Sequence, residues 1–229
     1  MRSASLPVTV SSNQQPEFSP QPEPSCPRTA KLSWFIALTS TKTDSCVEDF
    51  CALLGLRPSA KYDTAWERIA RAVRDHVPGS TQLQTFQQLA TILLLTYALR
   101  NSDCHAKNIA LLYSTRGDAH LSPVYDMITT VVYPGYQLNP PGISFMGKKT
   151  WASGKSLGKF ITAVFGVPAR IQAGIVEAIS DAISEAAPRV REGMARHAEF
   201  ADIGKRMLLA WSQGVNGLRE KRVYSLSEW

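Results

Sequence analysis

The segment from Thr81 to about Arg100 is the feature that most constrains the fold of this chain. Its apolar residues follow one helical face at first and then occupy nearly every position. A helix that is apolar all round has to be covered by other elements on every side. Because the apolar run is too short to cross a bilayer, it predicts a central buried helix and no membrane association. The predicted buried face comprises Leu83, Phe86, Ala90, Leu93, Leu94 and Tyr97.

The rest of the chain predicts further helices and one small sheet element. Helical spacing begins at Val47 and stops at Gly55, and the other predicted helices cover 64–76, 155–165, 168–185 and 188–222. Two β-type runs, IALLY and HLSPVYD, flank the turn residues Gly117 and Asp118, which predicts a hairpin. The predicted fold class is therefore mainly α with a small β-hairpin.

Composition divides the chain into a tail and one domain. Residues 1–31 are rich in Pro, Ser and Gln and are expected to be a disordered tail, which leaves 32–229 as the domain. The run LSWFIALTST (32–41) has the length of a strand. The net charge of +6 is scattered along the chain, so direct nucleic-acid binding is weakly supported. Four cysteines without a CxxC pair favour a reducing cytoplasm.

A polar loop, RNSDCHAKNIALLY (100–113), lies between the apolar helix and the first β-type run. Kinase catalytic loops place an aspartate base five residues before a metal-binding asparagine, and Asp103 and Asn108 have this spacing. A second acidic ligand for Mg²⁺ typically follows a short hairpin, where Asp126 lies. In the alternative interpretation, Asp103 caps a strand or helix and Asp126 caps the next helix. Cys104 lacks a placed base partner and is expected to be a passive thiol.

Several stretches resemble the HipA-type serine/threonine kinases, the toxin components of bacterial toxin–antitoxin modules. SDCHAKNIALLY followed by LSPVYDMITT is similar to the family signature D-x-H-x-K-N and x-P-x-Y-D. EDFCALLGLRPSAKY (48–62) and ISFMGKKTW are similar to two other family stretches. The resemblance covers roughly residues 45–220 and implies the helical C-terminal lobe of a HipA-like, protein-kinase-like fold over 32–229.

The resemblance also implies roles for individual residues. Asp103 is implied as the catalytic base, and Asn108 and Asp126 as the Mg²⁺ ligands that hold Mg-ATP. His105 and Lys107 are implied to shape the catalytic loop. The implied activity is phosphorylation of a serine or threonine in a protein substrate.

The chain also departs from the family pattern. Only Gly55 and Gly79 precede Asp103, and residues 1–45 are too few for the family's N-terminal lobe, with its nucleotide loop and phosphate-contacting lysine. Ala52 stands where the family has glutamine. We therefore expect a C-terminal lobe alone, as a truncated gene, one partner of a split kinase or a decayed remnant.

The resemblance implies two kinds of partner for such a lobe. One is a helix-turn-helix antitoxin, through which DNA would be contacted only indirectly. The other is a separate N-lobe protein. In the alternative to a kinase, the chain is a non-catalytic module that binds either partner without transferring phosphate.

Overall fold

The computed structural model describes residues 46–115 and 117–219, and the predicted tail and the run at 32–41 lie outside them. The strands are β1 (Cys46–Asp49), β2 (Ala110–Tyr113) and β3 (His120–Leu121). The helices are α1 (Phe50–Leu53), α2 (Trp66–His76), α3 (Gly79–Ala98), α4 (Gly154–Phe160), α5 (Ala169–Arg196) and α6 (Ala201–Leu218). The described chain is therefore mostly helical with one small sheet, as the sequence predicts.

Helix α3 is the central buried helix that its apolar composition predicts. It packs against α2, α5, α6 and β3, and its Leu89, Ala90 and Leu93 are completely buried. The prediction is wrong for Leu83, which is 61% exposed, because residues 79–84 lie outside the core. No helix within the described ranges is both long and apolar enough to cross a membrane.

The sheet contains one strand more than the predicted hairpin. Strands β2 and β3 form the hairpin, and β1 pairs antiparallel with the other side of β2. The prediction of a helix from Val47 is therefore wrong for the first residues, because the backbone of β1 is taken by the ladder to β2. The helix begins only at Phe50, where the Asp49 carboxylate accepts a hydrogen bond from the Ala52 amide at 2.8 Å.

The C-terminal helices divide at a different place from the predicted one. The sequence predicts a break near Pro188, yet α5 continues through this proline to Arg196. One face of α5 stays buried on both sides of the predicted break, while Pro188 lies on the exposed face. The buried residues are Ile179, Ile183, Ala187 and Val190. Packing of this buried face offsets the backbone hydrogen bond that a proline removes. The chain breaks instead at 197–200, before α6 begins.

Helices α3 and α6 approach each other closely at Gly214. A Cβ atom at this position would lie 2.0 Å from the Ala98 carbonyl oxygen, which belongs to the backbone at the end of α3. Any side chain there would push the two helices apart. Because the polar loop begins directly after α3, this contact also holds the loop in place.

We expect Gly214→Ala to lower the free energy of unfolding by about 1–3 kcal/mol, the usual cost of overpacking. Gly217→Ala is the matched control, since a Cβ atom there would meet nothing within 4 Å. A helical glycine-to-alanine change without a clash should instead stabilise the protein by up to about 1 kcal/mol. Urea denaturation of the two variants measures both effects, and equal stabilities would contradict the close packing.

Candidate active site

The polar loop predicted to carry chemistry begins where α3 ends. Arg100 adopts a left-handed conformation with φ of 55°, which turns the chain out of the helix. The Asn101 amide then donates to the Thr96 carbonyl oxygen at 2.9 Å, closing the end of the helix. The loop therefore leaves a rigid, buried helix end rather than a mobile connection.

The Asn101 side chain connects the loop to the segment that carries Asp126. This side chain is completely buried. Its Oδ1 accepts a hydrogen bond from the Asp103 amide at 3.0 Å, and its Nδ2 donates to the Asp126 carbonyl oxygen at 3.3 Å. One buried carboxamide thus holds the backbones of both aspartates, although they are 23 positions apart along the sequence (126 minus 103).

Asn108 and Asp126 are in direct contact. The Asn108 Nδ2 donates to the Asp126 Oδ2 at 2.5 Å, while the Asn108 Oδ1 accepts from the His105 amide at 2.9 Å. Asn108 is buried and Asp126 is exposed, so the pair presents its carboxylate to solvent. Asp126 has φ of 55°, a left-handed conformation that Asp and Asn tolerate better than most other residues.

The Asp103 carboxylate has a partner that the sequence analysis did not identify. Its Oδ1 accepts a hydrogen bond from the Tyr62 hydroxyl, which comes from the connection between α1 and α2. Burial, followed by the hydrogen bond to Asp103, raises the pKa of Tyr62, so this hydroxyl stays protonated and can donate at neutral pH. The capping interpretation is wrong, because neither Asp103 nor Asp126 lies at a helix N-terminus in the described chain.

His105 and Lys107 lie on the same loop but differ in exposure. The His105 ring is buried and packs edge to face on Tyr62, with centroids 5.1 Å apart. Lys107 is exposed, and its carbonyl oxygen accepts a hydrogen bond from the Tyr125 hydroxyl at 2.6 Å. The Lys107 ammonium makes no hydrogen bond or ion pair with the residues that the structure describes. The loop thus contacts Tyr62 through His105 and Tyr125 through Lys107, while the Lys107 ammonium is exposed.

Electrostatics keep two groups of the loop uncharged. Burial and the neighbouring Lys61 ammonium lower the pKa of His105, although Asp103 and Asp126 partly oppose the change. Burial raises the pKa of the Cys104 thiol to about 12. The thiol therefore stays protonated at neutral pH, in agreement with the passive role expected from the sequence.

A second loop contacts the polar loop at two points. The Thr130 Oγ1 accepts a hydrogen bond from the Ser102 amide at 2.6 Å. Further along, a Cβ atom at Gly142 would lie 2.3 Å from the Cys104 carbonyl oxygen, so glycine is required for this approach. The two ends of the segment from Thr130 to Gly142 are therefore held against the residues on either side of Asp103.

The oxygen donors of the site suit Mg²⁺. Mg²⁺ prefers hard oxygen ligands and takes only one or two carboxylates from a protein, with water and phosphate filling the remaining positions. The Asn108 Nδ2 faces the Asp126 carboxylate, and the Asn108 Oδ1 accepts from the His105 amide, so this oxygen has one lone pair left for a metal ion beside the carboxylate. Within the described part of the chain, no cluster of three His, Cys, Asp or Glu side chains could hold a metal ion.

Sequence reasoning located the motif residues but missed those that arrange them. Asn101 lies beside the motif, yet asparagine is common in turns and its letter alone carries no signal. Tyr62 ends the stretch EDFCALLGLRPSAKY, whose similarity to the family gives no chemical signal at this tyrosine. The glycine at 142 stands in a Pro/Gly-rich loop where several glycines are expected. Each of these roles depends on a contact between residues distant in sequence.

Comparison with known proteins agrees with this architecture. The family described as HipA-like C-terminal domain matches residues 40–190. Two proteins of Sinorhizobium fredii (strain NBRC 101917 / NGR234) are similar in sequence. The one named "Putative kinase Y4mE" is 30% identical over 110 residues, or 44% of this chain and 24% of that protein. The one named "Putative kinase Y4dM" is 31% identical over 87 residues, or 38% of this chain and 20% of that protein.

A solved structure shares the fold. HipA of Shewanella oneidensis MR-1, determined with HipB and operator DNA of its toxin–antitoxin system, matches with a TM-score of 0.57 and 16% identity. The match covers 77% of this chain and 46% of that one. The fold and the polar loop thus define a kinase-like helical lobe. The chain belongs to the HipA-like C-terminal domain family, and it spans about a quarter or less of its two curated relatives.

The lowered pKa of His105 predicts how stability depends on pH. The unfolded chain protonates this histidine as pH falls through its ordinary pKa of about 6.5, whereas the folded chain keeps it neutral to lower pH. The free energy of unfolding should therefore fall between pH 7.5 and 5.5, and His105→Asn should reduce this fall. Urea denaturation at the two pH values tests the prediction, and equal falls in parent and variant would contradict it.

Proposed function

We propose that this chain is the catalytic lobe of a serine/threonine protein kinase of a bacterial toxin–antitoxin module, with Asp103 as its general base. The observation that carries the proposal is the joint anchoring of Asp103 and Asp126 on the buried Asn101 amide. This anchoring fixes the backbone of Asp103 relative to that of Asp126, whose carboxylate forms an amide–carboxylate pair with Asn108. Phosphoryl transfer from ATP to a hydroxyl needs a base and a metal site in one cleft.

In the proposed reaction, Asp103 accepts the proton of a serine or threonine hydroxyl of the protein substrate. The hydroxyl oxygen forms a bond to the γ-phosphorus of ATP, and the bond to the β–γ bridging oxygen breaks to release ADP. The Oδ1 of Asp103 is occupied by Tyr62, so Oδ2 is the oxygen available for the proton. The partial exposure of Asp103 is compatible with contact with an acceptor.

Asn108 and Asp126 are the residues that would hold Mg²⁺, which when bound neutralises charge on the nucleotide phosphates. His105 fixes Asn108 through its backbone amide, and Lys107 is tied to Tyr125 through its carbonyl. These contacts support the loop-shaping roles that the resemblance implies for His105 and Lys107. No nucleotide has to touch either side chain for this purpose.

The remaining part of the cleft is proposed to come from elsewhere. Only two glycines precede Asp103, and this chain covers 46% of the HipA chain that it resembles. A nucleotide-covering lobe, as a further segment or a separate N-lobe protein, would supply the phosphate loop and lysine. A helix-turn-helix antitoxin is the proposed regulatory partner, by analogy with the HipB that accompanies Shewanella HipA. DNA would be contacted through that partner, and the reaction would take place in the cytoplasm.

Asp103→Asn should lower phosphoryl transfer by about 10²- to 10⁴-fold, the usual contribution of general-base catalysis. The measurement is transfer of the labelled γ-phosphate of ATP to protein, by the full chain with its nucleotide-covering partner. Asp181→Asn on the exposed face of α5 is the matched control and should keep the parent rate. Equal rates for parent and Asp103→Asn would contradict the base assignment. A parent without transfer under these conditions would favour the non-catalytic binding module.

Metal binding by Asn108 and Asp126 can be tested without nucleotide. Mn²⁺, a paramagnetic substitute for Mg²⁺, should broaden the NMR signals of residues near Asn108 and Asp126. Asp126→Asn removes the charge while keeping a residue that tolerates φ of 55°, so it should abolish the local broadening and leave the fold intact. Asp181→Asn again serves as control. Unchanged broadening in Asp126→Asn would show that the carboxylate does not bind the ion.

A further inference from the structure

Tyr62 makes the one side-chain hydrogen bond that reaches the Asp103 carboxylate within the described chain. Its hydroxyl donates to Oδ1, across 41 residues of sequence, and Oδ2 accepts no hydrogen bond from the described residues. A carboxylate on a loop can rotate about its side-chain bonds, so its orientation must be set by its partners. Tyr62 is therefore placed to decide which oxygen faces an incoming hydroxyl.

The neighbours of Tyr62 hold it against the catalytic loop. Its ring packs on the His105 ring at an interplanar angle of 76°, and the Lys61 ammonium lies 4.9 Å from the ring centroid. The Lys149 ammonium donates to the Tyr62 carbonyl oxygen at 2.8 Å. The adjacent Lys61 carbonyl oxygen accepts from the Ala106 amide at 3.0 Å. Backbone and ring are thus both fixed to the loop that carries Asp103.

We propose that Tyr62 is a positioning residue for phosphoryl transfer, orienting the Asp103 carboxylate so that Oδ2 faces the acceptor hydroxyl. The inference rests on the proposed function. Tyr62 forms no bond and transfers no proton in this role; its hydroxyl keeps its hydrogen bond to Oδ1 while Oδ2 receives the acceptor proton. The role contributes to the rate of the chemical step and not to the affinity for nucleotide or acceptor.

The fixed surroundings of Tyr62 distinguish this role from that of a gate. A gating tyrosine would have to leave Asp103 when the acceptor arrives, and its removal would accelerate transfer. The ring contacts with His105 and Lys61 would both have to be broken or rearranged for such a movement. Because only one of the two carboxylate oxygens is occupied, the acceptor has no need to displace the tyrosine.

The test compares Tyr62→Phe with Tyr113→Phe. Tyr113 is a matched control, because its hydroxyl also donates to a carboxylate, the Glu48 Oε2 at 3.1 Å, but within the β1–β2 pair. A hydrogen bond to a charged group predicts that Tyr62→Phe lowers kcat by about 10- to 100-fold. The KM values for Mg-ATP and for the protein acceptor should not change. Tyr113→Phe should keep the parent kcat.

The contact itself can be read by NMR of the full chain with ¹³Cζ-labelled tyrosine. Asp103→Asn should shift the Tyr62 signal and leave the Tyr113 signal in place, and Glu48→Gln should do the reverse. A Tyr62 signal whose chemical shift is the same in the parent and in Asp103→Asn would overturn the proposal, regardless of the kinetic results.

The rates of Asp103→Asn and Tyr62→Phe distinguish failure of the Tyr62 role from failure of the proposed function. If Asp103→Asn abolishes transfer while Tyr62→Phe keeps the parent kcat, changes KM alone or is faster, the positioning role is overturned and the proposed function stands. If Asp103→Asn transfers at the parent rate, or the parent shows no transfer, the proposed function fails and the role of Tyr62 fails with it.

Discussion

Burial of α3 is the constraint on which the rest of this structure depends. From Thr85 to Ala98 every residue of the helix is buried or half-buried, because α2, α5, α6 and the small sheet pack around it. The close approach of α6 at Gly214 fixes the C-terminal end of α3 against a second helix. The polar loop begins at this helix end, so the geometry of the candidate site follows from the packing of the core.

The Asn101 side chain connects the end of α3 to the candidate site through hydrogen bonds. A buried carboxamide has to satisfy both its oxygen and its nitrogen, and here it uses the backbones at Asp103 and Asp126. Two carboxylates would otherwise tend to separate, because like charges repel. Since the amide binds their backbones and not their side chains, it leaves both carboxylate groups free to contact other side chains. Tyr62 and Asn108 then each occupy one oxygen of one carboxylate.

The motif residues could be predicted because their signal is local. Asp103 and Asn108 are separated by five positions, and Asp126 follows a hairpin that the turn residues predict. The residues that arrange them could not be predicted in the same way. Tyr62 reaches Asp103 across 41 positions, and Gly142 matters only because a Cβ atom would collide with the Cys104 carbonyl. Neither contact leaves a periodic pattern in the sequence.

The sequence by itself determined that α3 is a buried helix, that a polar loop follows it, and that a short hairpin leads to Asp126. These features depend on the periodicity and composition of neighbouring residues, which the chain carries locally. Only the tertiary structure decided that residues 46–49 form a strand and that α5 continues through Pro188. It also decided that Tyr62 is the partner of Asp103. The physical reason is that each of these outcomes depends on a distant partner: the free edge of β2, a packed helix face, or a carboxylate brought within reach by the folded core.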